Sequence, residues 1–395
     1  MKRPASTKSN TKFTYFDDGA VLFRMRLVVS ILTNRPIVIR NIRHNDLEAP
    51  GLSPREINFL RLLDQMTNGS QLEINTAGTQ LRFQPGLLTG GIIEHDCSNS
   101  RNEESPHHVG WLVQGILPLA PFGKEALQVT FTNCVTDGLE HQDPSIDYWK
   151  KHMPILYQQF GIGIPDPNDF LADSPPAIHI RQRGGAPRGG GQVELYCPIV
   201  TELQSIDWTD PGLIKRVRGT VVSTQLISSS TAARAAYAAK GVFHRLLPDV
   251  WIHTDAHTIK QHKCGPSPAV SILLTAESTT GVMLSAEACL GDQKQQREAP
   301  EELGQRAACA LLEEIRRGGC IDTDLQATAL LLMCLTPQDV SRVRVGTLSQ
   351  YTIHCLRLYK ELLGIEFKVQ PDMDTKTVML SCLGVGYRNN AKAST

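Results

Sequence analysis

Arg183-Gly-Gly-Ala-Pro-Arg188-Gly-Gly-Gly191-Gln-Val193 sets two arginines, a proline and five glycines within eleven residues, between two segments that read as strands. Glycines let a backbone turn tightly and let a ligand or a second chain approach where a Cβ would block it. N–H groups exposed in such a turn, with Arg183 and Arg188 beside them, form a concavity suited to a phosphate or carboxylate. Arg183, Arg188, Gly189, Gly190 and Gly191 are therefore candidate anion-binding residues.

Working outward, the chain of 395 residues has room for two or three domains with sizeable cores. Apolar residues at 41% and charged residues at 20% describe a globular protein rather than a disordered one. Lysine plus arginine total 40 and aspartate plus glutamate total 40, so any nucleic-acid binding must come from a local patch. Met1–Lys12 carries Lys2, Arg3, Lys8 and Lys12 with no acid and reads as a tail. No apolar run reaches the length of a membrane span, and neither a signal peptide nor a membrane partner is expected. The ten cysteines show no Cys-x-x-Cys pair and read as small buried hydrophobes. Asn68-Gly-Ser70 reads as a turn.

The flanking pattern predicts an α+β protein. Thr14–Asp18 begins as a strand, Gly19–Leu32 has helical spacing, and Pro36–Ile42 alternates as a strand. Ser53 caps a helix to Met66, and Leu72–Ile74 pairs with Gln80–Phe83. Helices at Val109–Leu119 and Ser145–Phe160 with strands at Ala126–Phe131 and Ala177–Arg181 repeat this grammar. So do helices at Pro300–Arg317, Asp324–Leu335 and Tyr351–Leu363 with strands at Ile365–Val369 and Thr377–Ser381. Three loosely similar α+β units fit better than one large sheet. Between them, strands at Glu194–Val200, Arg218–Gln225, Ala269–Thr275 and Gly281–Ala286 and an alanine-rich helix at Thr231–Leu247 read as an inserted α/β domain. Trp251–Pro268 reads as an irregular loop. The expected division is 1–192 for two units, 193–286 for the insert and 287–395 for the third unit.

The spacing Arg-Gly-x-x-Pro-x-Gly-Gly-Gly-x-aliphatic, with Phe23–Ser30, Phe83-Gln-Pro-Gly86, Gln114 and Ile116-Leu-Pro118, Asp147-Tyr148 and Ile214–Gly219, resembles the RNA 3'-terminal phosphate cyclase superfamily over nearly the whole length. That resemblance implies three repeats, each like the C-terminal domain of a bacterial initiation factor, plus a smaller inserted α/β domain. Its catalytic members use ATP to adenylylate a histidine, pass AMP to an RNA 3'-phosphate and close a 2',3'-cyclic phosphate. The position matching that histidine holds Tyr351, a phenol mostly protonated at neutral pH. His354 lies one helical turn on and would be the displaced nucleophile if there were one. The family's Glu-Gly-Gly-Gly-Gln turn is Asp17-Asp18-Gly19-Ala20-Val21 here, and its late Asp-Gln pair is Ala327-Thr328. Glu104-Ser-Pro-His-His108 replaces a glycine- and serine-rich loop, and Asp46 and Glu48 stand where the family is basic.

These departures, with Leu380–Arg388 and Thr136–Ser145, resemble the cyclase-like branch of nucleolar ribosome-assembly factors. The resemblance implies no cofactor, a nucleolar location and a role in early processing of 18S precursor rRNA. Its implied partners are a large nucleolar GTPase of the small-subunit processome and pre-ribosomal particles, with direct contact to pre-rRNA left open. Arg24, on the first helix, and Arg43, after the first crossover strand, join the glycine-rich loop as candidates for a retained anion pocket. Arg26 with Arg24 opens the first helix, and pairing of a guanidinium with Asp17 or Asp18 is the structural alternative. Arg342 and Arg344 form a small basic spot, read as charge on an exposed loop.

Two other chemistries stay open on the residues alone. Asp17 and Asp18, with Asp46 and Glu48, could hold metal for RNA cleavage, although neighbouring strand residues point to opposite faces. His253-x-x-x-His257 with His262 and Cys264 has metal-like spacing, but a structural zinc site needs four converging ligands, so no metal is assigned.

Overall fold

The computed structural model describes residues 12–98, 107–138, 143–164, 174–225, 228–258, 263–290 and 298–390. It divides into two compact units, Met1–Leu87 and Leu88–Thr395.

In the first unit, strand Thr14–Phe16 runs parallel to Ile37–Ile39, which pairs antiparallel with Leu81–Gln84 and that with Gln71–Ile74. Helix α1 (Phe23–Thr33) starts later than its apolar spacing suggests, because Leu22 takes a left-handed φ of 51° and closes a turn first. It ends where expected: Asn34 turns left-handed and donates its N–H to Ile31 and Ser30 carbonyls, two residues before Pro36. Helix α2 (Pro54–Met66) has proline in its first turn, and the Ser53 N–H is accepted by Glu56 at 2.8 Å. Leu27, Val28, Ile37, Ile39, Phe59, Leu62, Leu81 and Phe83 are buried as the core.

The second unit contains three four-stranded sheets. The sheet nearest in sequence is ordered Gly91–Asp96, Leu127–Cys134, Gly191–Cys197, Ala177–Gln182; its first pair is parallel and the rest antiparallel. Helices α3 (Val109–Ile116) and α4 (Ile146–Gln159) belong with it, α4 capped by Ser145, whose hydroxyl accepts the Tyr148 N–H at 3.2 Å. Another sheet is ordered Asp207–Trp208, Val340–Val345, Thr377–Leu383, Lys368–Asp372, again with one parallel pair followed by antiparallel ones. With it go two helices, to be called α7 (Gln326–Leu335) and α8 (Gln350–Leu363) after the two that precede them in the chain. The order strand-helix-strand-helix-strand-strand thus occurs with the first unit's sheet and with both of these.

The remaining sheet is ordered Val250–His257, Ile214–Thr224, Val270–Ser278, Met283–Leu290. Helices α5 (Ser229–Phe243) and α6 (Pro300–Arg317) complete it, burying Val217, Val221, Phe243, Ile272, Leu274, Leu303 and Leu311 in one core. The alanines of α5 have a packing reason. A Cβ on Gly304 of α6 would lie 2.1 Å from the Ala235 carbonyl oxygen, so the two helices touch backbone to backbone.

Four expectations change. Val250–His257, all but its first residue inside the stretch expected as a loop, is a strand parallel to Ile214–Thr224; its alternating Val250 and Ile252 are buried while Trp251 and His253 face out. The strand at Gly191–Cys197, expected to open the insert, pairs with Leu127–Cys134, and α6, expected in the third unit, packs on the inserted sheet. Strand pairing therefore divides the chain differently from boundaries at 193 and 286. Gly91–Asp96 is an additional strand, its alternation hidden by Glu94, His95 and Asp96. Arg342 and Arg344 lie on strand Val340–Val345 rather than a loop, and Arg344 is held by Asp372 at 2.8 Å and the Thr209 carbonyl at 2.9 Å.

Candidate functional site

The glycine-rich loop joins the second sheet to the inserted one and is consumed by that junction. Arg183 N–H donates to the Lys263 carbonyl at 2.8 Å, and Gly265 N–H donates back to the Arg183 carbonyl at 2.7 Å. Gly184 exchanges bonds with Thr136, its N–H reaching the hydroxyl at 3.1 Å and its carbonyl accepting Thr136 N–H at 2.8 Å. Gly189 N–H turns inward to Gly185, and Arg188 N–H reaches the Ser267 hydroxyl at 3.0 Å. Gly189 and Gly190 adopt φ of 62° and 78°, which only glycine takes without strain. The N–H groups of Arg183, Gly184, Arg188 and Gly189 are thus spent inside the protein, in a backbone crossing.

Arg183 is likewise committed. It is 8% exposed, and its guanidinium grips Asp147, in the first turn of α4, with both arms, one at 2.9 Å. Burial works against its charge, but Asp147 and then Asp137 outweigh that and leave the pKa raised. The Arg188 side chain is exposed at the loop tip.

Asp147 also lines a cavity of about 340 Å³, together with Ser145, Lys151, Ser271, Ser285, Glu287 and Asp324. Glu287 lines it, and Asp137, His152 and Asp322 each adjoin a lining residue in the chain (Gly138, Lys151 and Thr323); sequence reasoning missed these ionisable groups because they come from four separate segments. Burial pushes Asp137 up to about 6 against the pull of Arg183 and a hydrogen bond from the Ser271 hydroxyl. Glu287 accepts the Ser145 N–H at 2.7 Å, yet burial pushes it up to about 8. Asp322 accepts the Tyr148 hydroxyl at 2.5 Å and the Ser285 and Leu325 N–H groups, and burial raises its pKa too. His152 stacks on Tyr148 at 4.1 Å and is pushed by burial down to about 3. Its Nε2 meets both the Ser285 hydroxyl at 2.7 Å and Asp322 at 3.5 Å. A serine-histidine-aspartate relay needs opposite ring nitrogens for its two partners, so this trio is a buried hydrogen-bond network and not a nucleophile.

Glu287→Gln tests the raised pKa of the Glu287 carboxyl. The wild-type carboxyl has an ordinary value of 4.5 and a folded value of about 8. Stability it supports is present below 4.5 and is lost as pH rises through about 8. The amide keeps the Ser145 bond without the titration, so the variant should match wild type at low pH. Above pH 8 it should be the more stable by on the order of 3–6 kcal/mol. Urea denaturation at several pH values reads this. His152 slopes the other way, its contribution being lost as pH falls from 6.5 toward about 3.

In the first unit, Arg43 is not a free cation. Its Nε donates to the Gly51 carbonyl at 2.8 Å and its guanidinium binds Glu56 with both arms, tying the loop to the start of α2. Arg24 is buried within α1. Arg26 is the residue that grips Asp18, at 2.6 and 2.7 Å, while Asp17 faces Arg40 at 3.5 Å. The two aspartates are therefore drawn to different arginines. Tyr351 stands on α8 at 38% exposure, with His354 exposed one turn on. Ala327 and Thr328 are buried on α7. His262 and residues 104–106 lie outside the described residues. Among the described residues, no group of three or more His, Cys, Asp or Glu side chains is placed to hold a metal ion.

The sequence profile of the family described as RNA 3'-terminal phosphate cyclase matches residues 15–369. The chain belongs to that family. Within it, the chain matches the cyclase-like proteins. It is 42% identical over 381 residues to the RNA 3'-terminal phosphate cyclase-like protein of Homo sapiens, covering 95% of this chain and 96% of the relative. It is 39% identical over 389 residues to a probable RNA 3'-terminal phosphate cyclase-like protein of Dictyostelium discoideum, covering 95% and 98%. It is 34% identical over 376 residues to a Schizosaccharomyces pombe protein named rRNA processing protein rcl1, covering 94% and 96%. The mixed helices and sheets described above are consistent with this family's fold.

Proposed function

We propose that this cyclase-family chain is a catalytically silent factor in rRNA processing, acting in early maturation of the small ribosomal subunit as a binding module. The observation that carries the reading is Tyr351: where the resemblance places an imidazole nucleophile, α8 presents a phenol. Three further observations support it. Ala327 and Thr328 are buried on α7, the backbone of the glycine-rich loop is occupied by structure, and Arg183 is neutralised by Asp147. Without an imidazole at that position there is no group to carry AMP, and the remaining asset is surface. The kinship with a protein named for rRNA processing supplies the process. The partner in this reading is a nucleolar GTPase, and the location is the nucleolus. The architecture is read as three repeats of one α+β unit, with the inserted domain spanning Ile214–Arg317.

Purified protein incubated with α-labelled ATP, magnesium and a 3'-phosphorylated RNA should yield neither protein–AMP nor cyclic-phosphate ends, with an active cyclase labelling as the control. Label that disappears in His354→Ala would overturn silence. Tyr351→Ala in cells depleted of the native protein should leave pre-rRNA processing within about twofold of wild type. A severe defect with normal folding would show that the pocket is used.

A further inference from the structure

We propose that the open face of the first unit's sheet binds single-stranded RNA, by stacking bases against Tyr15 and Phe13 while Arg40 and Arg82 reach the phosphates. The helix-facing side of this sheet is filled by Ile37, Ile39, Leu81 and Phe83, all buried. The opposite side carries the row Tyr15, Val38, Arg82, Glu73 across four strands in register. Tyr15 is 51% exposed, and the Arg40 guanidinium carbon sits 4.4 Å from its ring centroid. The Arg82 guanidinium carbon sits 4.2 Å from the Phe13 centroid. Tyr15 and Arg82 lie two strand spacings apart, roughly 10 Å, so the two stacks are separate stations on one surface.

A guanidinium held flat on an aromatic ring extends the stacking surface and turns its N–H edges outward, where a phosphate can accept them. Arg40 and Arg82 each also face a carboxylate, Asp17 at 3.5 Å and Glu73 at 3.2 Å. All four side chains are about half exposed, and exposed ion pairs of this kind are worth little in water, so a polyanion can displace the carboxylates. Lys12, exposed at the edge of the face, adds charge of the right sign. The rest of the surface is Gln71, Glu73 and Gln84, which offers hydrogen bonds but no apolar patch of the size a stable protein interface needs. That composition, aromatic stacks with arginines on a polar sheet, fits an unpaired nucleic-acid strand better than a folded partner. The site is independent of the partner and process proposed above, and its test uses the isolated chain.

Fluorescence anisotropy of the full chain with a labelled oligouridine of about 12 nucleotides at low salt measures it, that length falling within the usual site size. Tyr15→Ala should weaken binding roughly 5- to 100-fold, as loss of one stacked base does, while Tyr15→Phe should restore it. Arg82→Ala should weaken binding and shallow the salt dependence by about 0.7 in log–log slope. Ultraviolet crosslinking followed by mass spectrometry should place uridine on Tyr15 or Phe13. Absence of RNA binding by the wild-type chain overturns the proposal. So does unchanged affinity in folded Tyr15→Ala and Arg82→Ala, or crosslinks confined to residues 88–395. Loss of a co-purifying protein in Tyr15→Ala without any RNA affinity would reassign the face to a protein partner.

Discussion

Arg183→Ala is expected to cost about 3–5 kcal/mol, the largest loss of any single side-chain truncation at the loop. The guanidinium is 8% exposed and bonds both oxygens of Asp147, while its charge also holds down the buried Asp137. Removing it strands a carboxylate at the start of α4 and allows burial to push Asp137 above its present value of about 6. Pairing it with Asp147→Asn should recover part of the loss, because the partner no longer brings a charge. Urea unfolding of the two single variants and the double variant gives the coupling directly. If Arg183→Ala falls within about 1 kcal/mol of wild type, the residue is not a buried structural ion and its role as a ligand-binding cation is reopened.

Gly265→Ala should be at least as damaging, for a steric reason. A Cβ there would stand 1.9 Å from the Gly189 carbonyl oxygen and 3.2 Å from the Gly190 Cα. Both are backbone atoms of a loop already fixed by hydrogen bonds to Thr136, Lys263 and Ser267, so neither can rotate away. Loss of more than about 3 kcal/mol, or failure to accumulate as soluble protein, is expected. The control is Gly241→Ala on α5, where a Cβ meets nothing within 4 Å. That change should stabilise by about 0.5–1 kcal/mol through helix propensity alone. Thermal melts of the two variants distinguish a packing requirement from a general intolerance of side chains at glycine.

Together the two variants ask what the glycine-rich segment does in a family named for a reaction. Here the segment closes a crossing between two sheets, with Gly184 and Gly191 against Cys134 on one side and Gly190 against Gly265 on the other.

Much of the architecture was legible in the chain because local rules carry it. Helix α6 follows from proline at its first position and glycine after its last, α2 from Ser53-Pro54 with Glu56, and the strand pair Gln71–Ile74 and Leu81–Gln84 from alternation around a turn. Gly91–Asp96 and Val250–His257 were not legible: in the first an exposed Ile92 and a buried His95 reverse the polarity expected of an alternating strand, and in the second the apolar alternation stops at Ile252, before His253-Thr254-Asp255. The residue types of the site were equally visible: Arg183, Arg188 and the glycines stand out in any reading.

What the amino-acid order alone determined is most of the elements, the family, and the residue types of the glycine-rich loop. What only the tertiary structure decided is where the charges end. Arg183 meets Asp147, Arg43 meets Glu56 and Arg26 meets Asp18, across separations of 36, 13 and 8 residues. No sequence spacing specifies which carboxylate a guanidinium will reach. Burial, which sets Glu287 near 8 and His152 near 3, depends on walls that fold in from distant segments. Whether an arginine is a binding group or a structural ion is a property of its surroundings, and those exist only once the chain is folded.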